Sequence, residues 1–335
     1  MSLSSRIAKV YLYNNHFKGL PKETDLKFVQ ETLRSLKDGE YLASAVYLKV
    51  GPDPQIFVYP QKLGATFAGT QIAKIIESKN RDFPVDKYVV GNFGWRTLTI
   101  GNDVLEDGSK PYLVPETGKL PISSNLGALG IPGVAAYFGF LEICKPQKND
   151  VVVVSSAAGA VGNLVGQIAK LKDCTVIGIT SSDDKGKWLI DELGFNYYIN
   201  YKTQDVSQKL KEYGPAGIDC YFDNVGGEIS SAVIYNMKTF GRICICGATS
   251  LYCTEDIPSA CEVQTPIKIK HVTMEGIQVN RWKDNWSEAI EQNLKWIQEK
   301  KLKYKETIIN DIENAFQAFY NTLQGNNTGN VIIKV

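Results

Sequence analysis

The sequence predicts an α/β protein: a doubly wound parallel sheet joined to a second, mostly β domain. Three observations carry this expectation. Apolar runs bounded by turn residues begin near Val151, Thr175, Tyr197, Ile218 and Arg242, at the regular spacing of buried parallel strands. Between them lie segments of helical period; in Gly162–Lys172 the apolar residues Leu164, Val165, Ile168, Ala169 and Leu171 share one face. Residues 1–120 differ in texture, with many Pro and Gly and the short β-like runs Ala43–Val50, Ile56–Tyr59 and Tyr88–Phe93.

The length, 335 residues, suits two domains of about 100–200 residues each. Beyond the alternating region the pattern predicts a helix near Trp286–Glu299, a strand at Tyr304–Ile309, a helix at Ile312–Leu323 and a strand at Asn330–Val335. That tail is too long to continue the alternation and is expected to return to the first domain.

Composition excludes several functions. Lys+Arg is 37 against 36 Asp+Glu, a net charge of +1, so no basic surplus points to nucleic acid or an anionic membrane. No apolar run reaches the ~18–20 residues of a membrane span. The stretch Met1-Ser2-Leu3-Ser4-Ser5-Arg6 lacks the apolar core of a signal peptide, and a cytoplasmic protein is expected. Seven cysteines, Cys144, Cys174, Cys220, Cys244, Cys246, Cys253 and Cys261, form neither a disulfide framework nor a paired zinc pattern. They read as buried structural thiols. Only His16 and His271 are present, which argues against Ser-His-Asp hydrolysis and multi-histidine metal sites; no metal is expected.

The strongest local motif runs Val151-Val-Val-Val-Ser155-Ser156-Ala157-Ala158-Gly159-Ala160-Val161-Gly162. A buried strand enters a small-residue turn and leaves as an amphipathic helix. Aligned on G-x-G-x-x-G, the key positions are Ala157, Gly159 and Gly162, which suits backbone approach to a pyrophosphate at a helix N-terminus. The next strand, Thr175–Ile179, ends in Thr180-Ser181-Ser182-Asp183-Asp184-Lys185. An acidic residue for a ribose 2′-hydroxyl is absent from the strand end, and Lys185 can pair with a 2′-phosphate. NADP is therefore favoured over NAD, with Asp183 and Asp184 free to cap the next helix.

A longer series now reads as one. Leu129-Gly-Ile-Pro-Gly133, Ala136-Tyr-Phe-Gly139, the loop Ala157–Gly162 with Gly166-Gln-Ile-Ala-Lys170, Asn200-Tyr-Lys202, Tyr221-Phe-Asp-Asn-Val-Gly-Gly227, Gly241-Arg242 and Cys246-Gly247 occur in this order. Gly69–Ser78 anchors the first part. The set resembles the zinc-independent branch of the medium-chain dehydrogenases/reductases, in the family of prostaglandin reductase 1 (leukotriene B4 12-hydroxydehydrogenase) and the alkenal double-bond reductases. The resemblance implies a GroES-like domain over 1–122 and 300–335 and a Rossmann domain over 123–299. It implies NADPH held in a cleft between them, and a homodimer built through the Rossmann sheets. The implied reaction is reduction of the α,β double bond of enals, enones and 15-oxoprostaglandins, some members also oxidising the leukotriene 12-hydroxyl. A quinone reductase of the same superfamily and a crystallin-like NADPH-binding protein with little catalysis are the competing readings.

By the same resemblance, Ala157, Ala158, Gly159, Ala160, Val161 and Gly162 face the pyrophosphate, and Lys185 and Tyr201 lie at the 2′-phosphate end. Asn224 stands at a strand's carboxyl end. Cys246, Gly247, Ala248, Thr249, Ser250, Leu251 and Tyr252 form the following loop. Ile277, Gln278 and Val279 approach the nicotinamide, and Asn327 closes the site from the tail. Four departures stand out. Val50-Gly51-Pro52-Asp53-Pro54-Gln55 replaces a Val-Asp-Pro-Tyr-Met-Arg segment. Ile269 aligns with a tyrosine proposed as a proton donor. Ala135 replaces a threonine, and the helix after Lys185 is one residue longer. The first three are expected to touch the nicotinamide and substrate region. Tyr252 then becomes the candidate catalytic hydroxyl, with Tyr59 and Tyr137 weaker candidates on the substrate side.

Overall fold

The computed structural model describes residues 6–53, 56–57, 62–254 and 262–335. They divide into two compact units. One comprises Met1–Leu126, Thr307–Asn326 and Val331–Val335; the other comprises Gly127–Glu306 and Asn327–Asn330.

In the first unit β1 (Ile7–Tyr13) pairs antiparallel with β2 (Leu26–Thr32). A seven-stranded sheet holds β3 (Tyr41–Val50), β4 (Gln71–Ser78), β5 (Tyr88–Gly91), β6 (Leu98–Gly101) and β7 (Tyr112–Leu113), joined by β14 (Glu306–Asn310) and β15 (Asn330–Lys334) from the tail. Val331 to Lys334 of β15 pair with Val50 to Tyr47 of β3 in antiparallel register. The last strand of the chain thus lies beside one of the first, as the length of the tail demanded. An aromatic core forms around Phe67, Trp95 and Phe319, with the Phe67 and Trp95 rings edge-to-face at 4.8 Å. The run at Ile56–Tyr59 is not a strand where it is described: Ile56 and Phe57 are helical and pack into this aromatic core. Four apolar residues carry no readable period that separates strand from helix.

The second unit is built on six parallel strands: β8 (Val151–Val154), β9 (Thr175–Thr180), β10 (Tyr197–Asn200), β11 (Ile218–Asp223), β12 (Met237–Ile245) and β13 (Thr273–Gly276). Their spatial order is β10-β9-β8-β11-β12-β13. The order reverses between β8 and β11, and in open α/β sheets ligands bind at the carboxyl ends of the strands at that switch point. Helices α1 (Ile131–Phe138), α2 (Gly162–Leu171), α3 (Asp183–Asp191), α4 (Val206–Tyr213), α5 (Gly227–Tyr235), α6 (Gln264–Ile269) and α7 (Trp286–Gln298) belong to this unit, and α8 (Ala315–Leu323) to the first. The face of α2 read from the sequence is buried through Leu164, Val165, Ile168 and Ala169; each large apolar side chain removed from water there contributes about 1.5–3 kcal/mol.

Two strands depart from the sequence reading. The fifth begins at Met237, five residues before Arg242, because Phe240 takes a left-handed φ of 65° and shifts the register against β11. The sixth, β13, has no apolar run to announce it, being a mostly exposed edge strand. The cap of α3 also falls one residue early: Ser182 accepts the Lys185 N–H, and Asp183 and Asp184 occupy the first turn. Among the described residues no helix is long and apolar enough to cross a membrane.

Candidate functional site

The loop after β8 is shaped from below and open at its rim. Ser156 adopts a left-handed φ of 49° and turns the chain off the strand. Ala157 donates its N–H to Ile179 O at 3.0 Å, and both Ala157 and Ala158 are buried. What these two alanines offer a ligand is shape. Gly162 begins α2 where a Cβ would lie 2.4 Å from Ser156 O, so only glycine permits the strand–turn–helix to close this tightly. The Gly159 carbonyl accepts Asn163 N–H at 3.3 Å, closing the first turn. Among the described residues the N–H groups of Ala160 and Val161 show no intramolecular acceptor, and no side chain caps α2. These partially exposed N–H groups, at the positive end of the helix dipole, form an anion cradle.

One buried carboxylate organises the far side of the switch point. Asp223 Oδ1, at the end of β11, accepts the Tyr221 hydroxyl at 2.8 Å, the Ser155 hydroxyl at 3.1 Å and the N–H groups of Val225 and Gly226 at 2.9 Å. Four donors compensate the charge taken from water. Ser155 Oγ accepts the Asn224 N–H, and Asn224 Nδ2 donates to Ser155 O at 2.7 Å. The predicted site residue Asn224 therefore locks the ends of β8 and β11 together. Sequence reading missed Ser155 and Asp223, although a polar residue closing each apolar strand was the available signal.

The next loop is sewn to the same strand end. Cys246 and Gly247 donate their N–H groups to Asp223 O at 2.7 and 3.1 Å; Thr249 N–H reaches Asn224 O and Ser250 N–H reaches Val225 O. Leu251 is exposed. Tyr252 folds back so that its hydroxyl oxygen accepts Ala248 N–H at 3.5 Å. Ile277 continues β13 with its N–H on Ile245 O at 2.9 Å, Gln278 O accepts Arg281 N–H, and Val279 O accepts the Trp286 indole. Predicted residues from four strand ends thus share one edge of the sheet.

At the other side, Lys185 Nζ lies 3.2 Å from Ser181 Oγ. Burial, and then the nearby charge of Lys202, lower the Lys185 pKa from its ordinary 10.5. Tyr201 is exposed and donates its N–H to Thr180 O. Lys202 was not singled out in the sequence. From the tail, Gly329 donates its N–H to Ala158 O at 2.8 Å, and Asn327 Nδ2 donates to Gly329 O at 3.2 Å. Asn327 thus holds the residue that bonds the phosphate loop.

Three expectations are corrected or relocated. Ile269 ends α6, immediately before the amino end of β13, and is 67% exposed. A helix feeding a parallel strand ends at the amino edge, one strand length from the ligand edge, so this departure does not face the nicotinamide region. Tyr137 donates its hydroxyl to Glu288 Oε1 at 2.9 Å, and burial with that carboxylate pushes its pKa up to about 12; it serves the packing of α1 on α7. Ala135 is buried in the core of this unit. Tyr59, Pro54, Gln55 and Cys261 lie outside the described residues. Cys144, Cys174, Cys220 and Cys244 are buried.

The zinc-binding dehydrogenase family matches residues 160–297, and the N-terminal domain of oxidoreductase family matches residues 9–105. Among the described residues no group of three or more His, Cys, Asp or Glu could hold a metal ion. Prostaglandin reductase 1 of Bos taurus is 43% identical over 330 residues, covering 98% of this chain and 99% of the relative. The NADP(+)-dependent 2-alkenal reductase of Nicotiana tabacum is 33% identical, covering 98% and 97%. The crystal structure of CurA from Vibrio vulnificus in complex with NADPH superposes with a TM-score of 0.89 at 30% identity, covering 98% and 99%.

Proposed function

The chain belongs to the prostaglandin reductase 1 family of the medium-chain dehydrogenases/reductases, and from that premise we infer that it is an NADPH-dependent reductase of the α,β double bond of enals and enones. The observation that carries this reading is the agreement of a full-length relative named for alkenal reduction with a dinucleotide cradle in this chain. The residues present fit the cofactor. Ala160 and Val161 offer open N–H groups to a pyrophosphate, Gly162 allows its close approach, and Lys185 supplies a cation at the end where a 2′-phosphate distinguishes NADPH from NADH.

When bound, the reduced nicotinamide supplies a hydride to the β-carbon, and negative charge gathers on the substrate's carbonyl oxygen. The chain's residues have three tasks. The phosphate loop and Asn327 hold one end of the cofactor fixed. Ile277, Gln278 and Val279 supply an apolar and amide-lined wall that excludes water. Tyr252, whose hydroxyl oxygen accepts the Ala248 N–H, is the proposed donor to the carbonyl oxygen, and a proton passed from that hydroxyl to the α-carbon would complete the saturated product. No histidine or nucleophile is required.

We further place the enzyme in the cytoplasm, a reducing compartment that suits the buried thiols Cys144, Cys174, Cys220 and Cys244, which form no disulfide among the described residues. We assign a homodimer to the free edge of β13. Support comes from the exposed strand β13 itself and from Ile269 and Phe240, 67% and 71% exposed near its amino end. Light scattering reads the mass directly.

The test of the function is NADPH oxidation against 4-hydroxynonenal, a 15-oxoprostaglandin and an ortho-quinone side by side. Saturated carbonyl products are expected. Turnover of the quinone alone would establish a quinone reductase, and tight NADPH binding without any turnover a crystallin-like binding protein.

A further inference from the structure

Lys185 and Lys202 leave the sheet on neighbouring strands. Thr180 of β9 and Asn200 of β10 are register partners, and Tyr201 N–H donates to Thr180 O at 3.1 Å. The two loops therefore start side by side. Asn200, which is buried, fixes the second one. Its Oδ1 accepts Lys202 N–H at 3.2 Å, its carbonyl accepts the N–H groups of Thr203 and Gln204, and its own N–H donates to Gln204 Oε1. Its Nδ2 donates to Asp183 Oδ1 at 3.1 Å. Asp183 opens the helix that carries Lys185, so Asn200 pins the Lys202 loop to the Lys185 helix.

That pinning holds two positive charges near each other. The positive charge of Lys202 adds to burial in disfavouring the charged form of Lys185. Asp183, the acid at the start of the helix, is taken up by Asn200 and the Tyr198 hydroxyl. Two ammonium groups carried on neighbouring, pinned loops repel, and an anion between them converts the repulsion into attraction. A phosphate monoester carries about −1.5 to −2 charge near neutral pH, more than one ammonium neutralises.

We propose that Lys202 is a second cation for the cofactor's 2′-phosphate, acting with Lys185, and that the pair sets the preference for NADPH over NADH. The proposal rests on the NADPH reading of the site. Lys202 is exposed, so its stem can swing onto the phosphate and its replacement leaves the core untouched. Asn200 is the positioning residue behind it.

The test is calorimetric binding of NADPH, NADH, adenosine 2′,5′-bisphosphate and 5′-AMP to the full chain and to Lys202→Met, Lys202→Arg and Lys185→Met. Lys202→Met is expected to raise the Kd for NADPH and the bisphosphate about tenfold while NADH and 5′-AMP change by less than about twofold. Lys202→Arg is expected to restore most of the loss. The double variant Lys185→Met with Lys202→Met should lose less than the product of the single losses, because removing one lysine also removes its repulsion of the other. An NADPH-to-NADH affinity ratio that Lys202→Met leaves within about twofold overturns the role of Lys202 while the site stands. An unaltered chain that binds NADH as tightly as NADPH, or binds neither, overturns the NADPH reading itself and this inference with it.

Discussion

The backbone N–H of Gly329 donates to the carbonyl oxygen of Ala158 at 2.8 Å, and a parallel bridge joins Gly159 to Gly329. A residue near the chain's end thereby stitches the phosphate loop from above. Gly329 has a φ of 72°, and a Cβ there would stand 2.2 Å from Lys305 O. No other residue fits without moving the strap. Gly329→Ala is expected to cost about 1–3 kcal/mol of stability and to weaken NADPH binding more than it lowers kcat. Thermal unfolding with and without NADPH reads both. An NADPH-induced rise in Tm equal to that of the unaltered chain would separate the strap from the cofactor.

Lys185 is the cation nearest the predicted 2′-phosphate end in the sequence, and it sits on Ser181 at the end of β9. Lys185→Ala is expected to raise the NADPH Kd by about tenfold or more, leaving NADH almost unchanged. Fluorescence titration with each cofactor gives the ratio. Equal losses on both would mean that Lys185 supports the fold of the loop and discriminates nothing.

Tyr252 is held by its own loop, which is held in turn by the end of β11. Tyr252→Phe keeps the ring and its packing but removes the hydroxyl. We expect kcat for an enal to fall about 10²-fold with NADPH affinity preserved. Full turnover by the variant would assign the proton path to solvent or the cofactor ribose.

The first unit offers a pH test independent of the cofactor. Arg34 Nη1 and Nη2 grip both oxygens of Glu40 at 2.6 and 2.7 Å, and the Lys37 N–H joins them. These bonds lower the Glu40 pKa from 4.5 to about 2. A carboxylate depressed on folding stabilises the protein above its unfolded pKa, and the contribution fades as pH falls through the folded value. Glu40→Gln is therefore expected to cost about 1 kcal/mol at pH 7 and almost nothing near pH 2. Chemical denaturation at both pH values checks it; a constant difference would rule out the charge as its source.

Much of this molecule was readable in the sequence, for physical reasons. Val151, Thr175 and Ile218 begin strands as expected, because a strand buried on both faces must be apolar throughout; Tyr197 begins β10 as expected too, an edge strand whose buried Ile199 keeps an apolar run. β13 escaped because an edge strand carries no such demand, and the first five residues of β12 because the left-handed Phe240 interrupts the pattern ahead of Arg242. The phosphate loop was legible from its small residues. Its supports were not: Asp223 with Ser155, Asn200 behind Lys202, and Gly329 over Ala158 join positions far apart in the chain, and no local pattern records such pairings. Ile269 shows the converse error. Aligned as a lost active-site tyrosine, it ends the helix before β13, at the amino ends of the strands and away from the ligand edge.

Saturation of a carbon–carbon double bond is read by incubating the chain with an enone and NADPH deuterated at the transferable position of the nicotinamide, then locating the label in the product. One deuterium at the β-carbon of a saturated ketone, with the carbonyl intact, is expected. Deuterium on the carbonyl carbon of an allylic alcohol, or NADPH consumed with no label in the organic product, would contradict it.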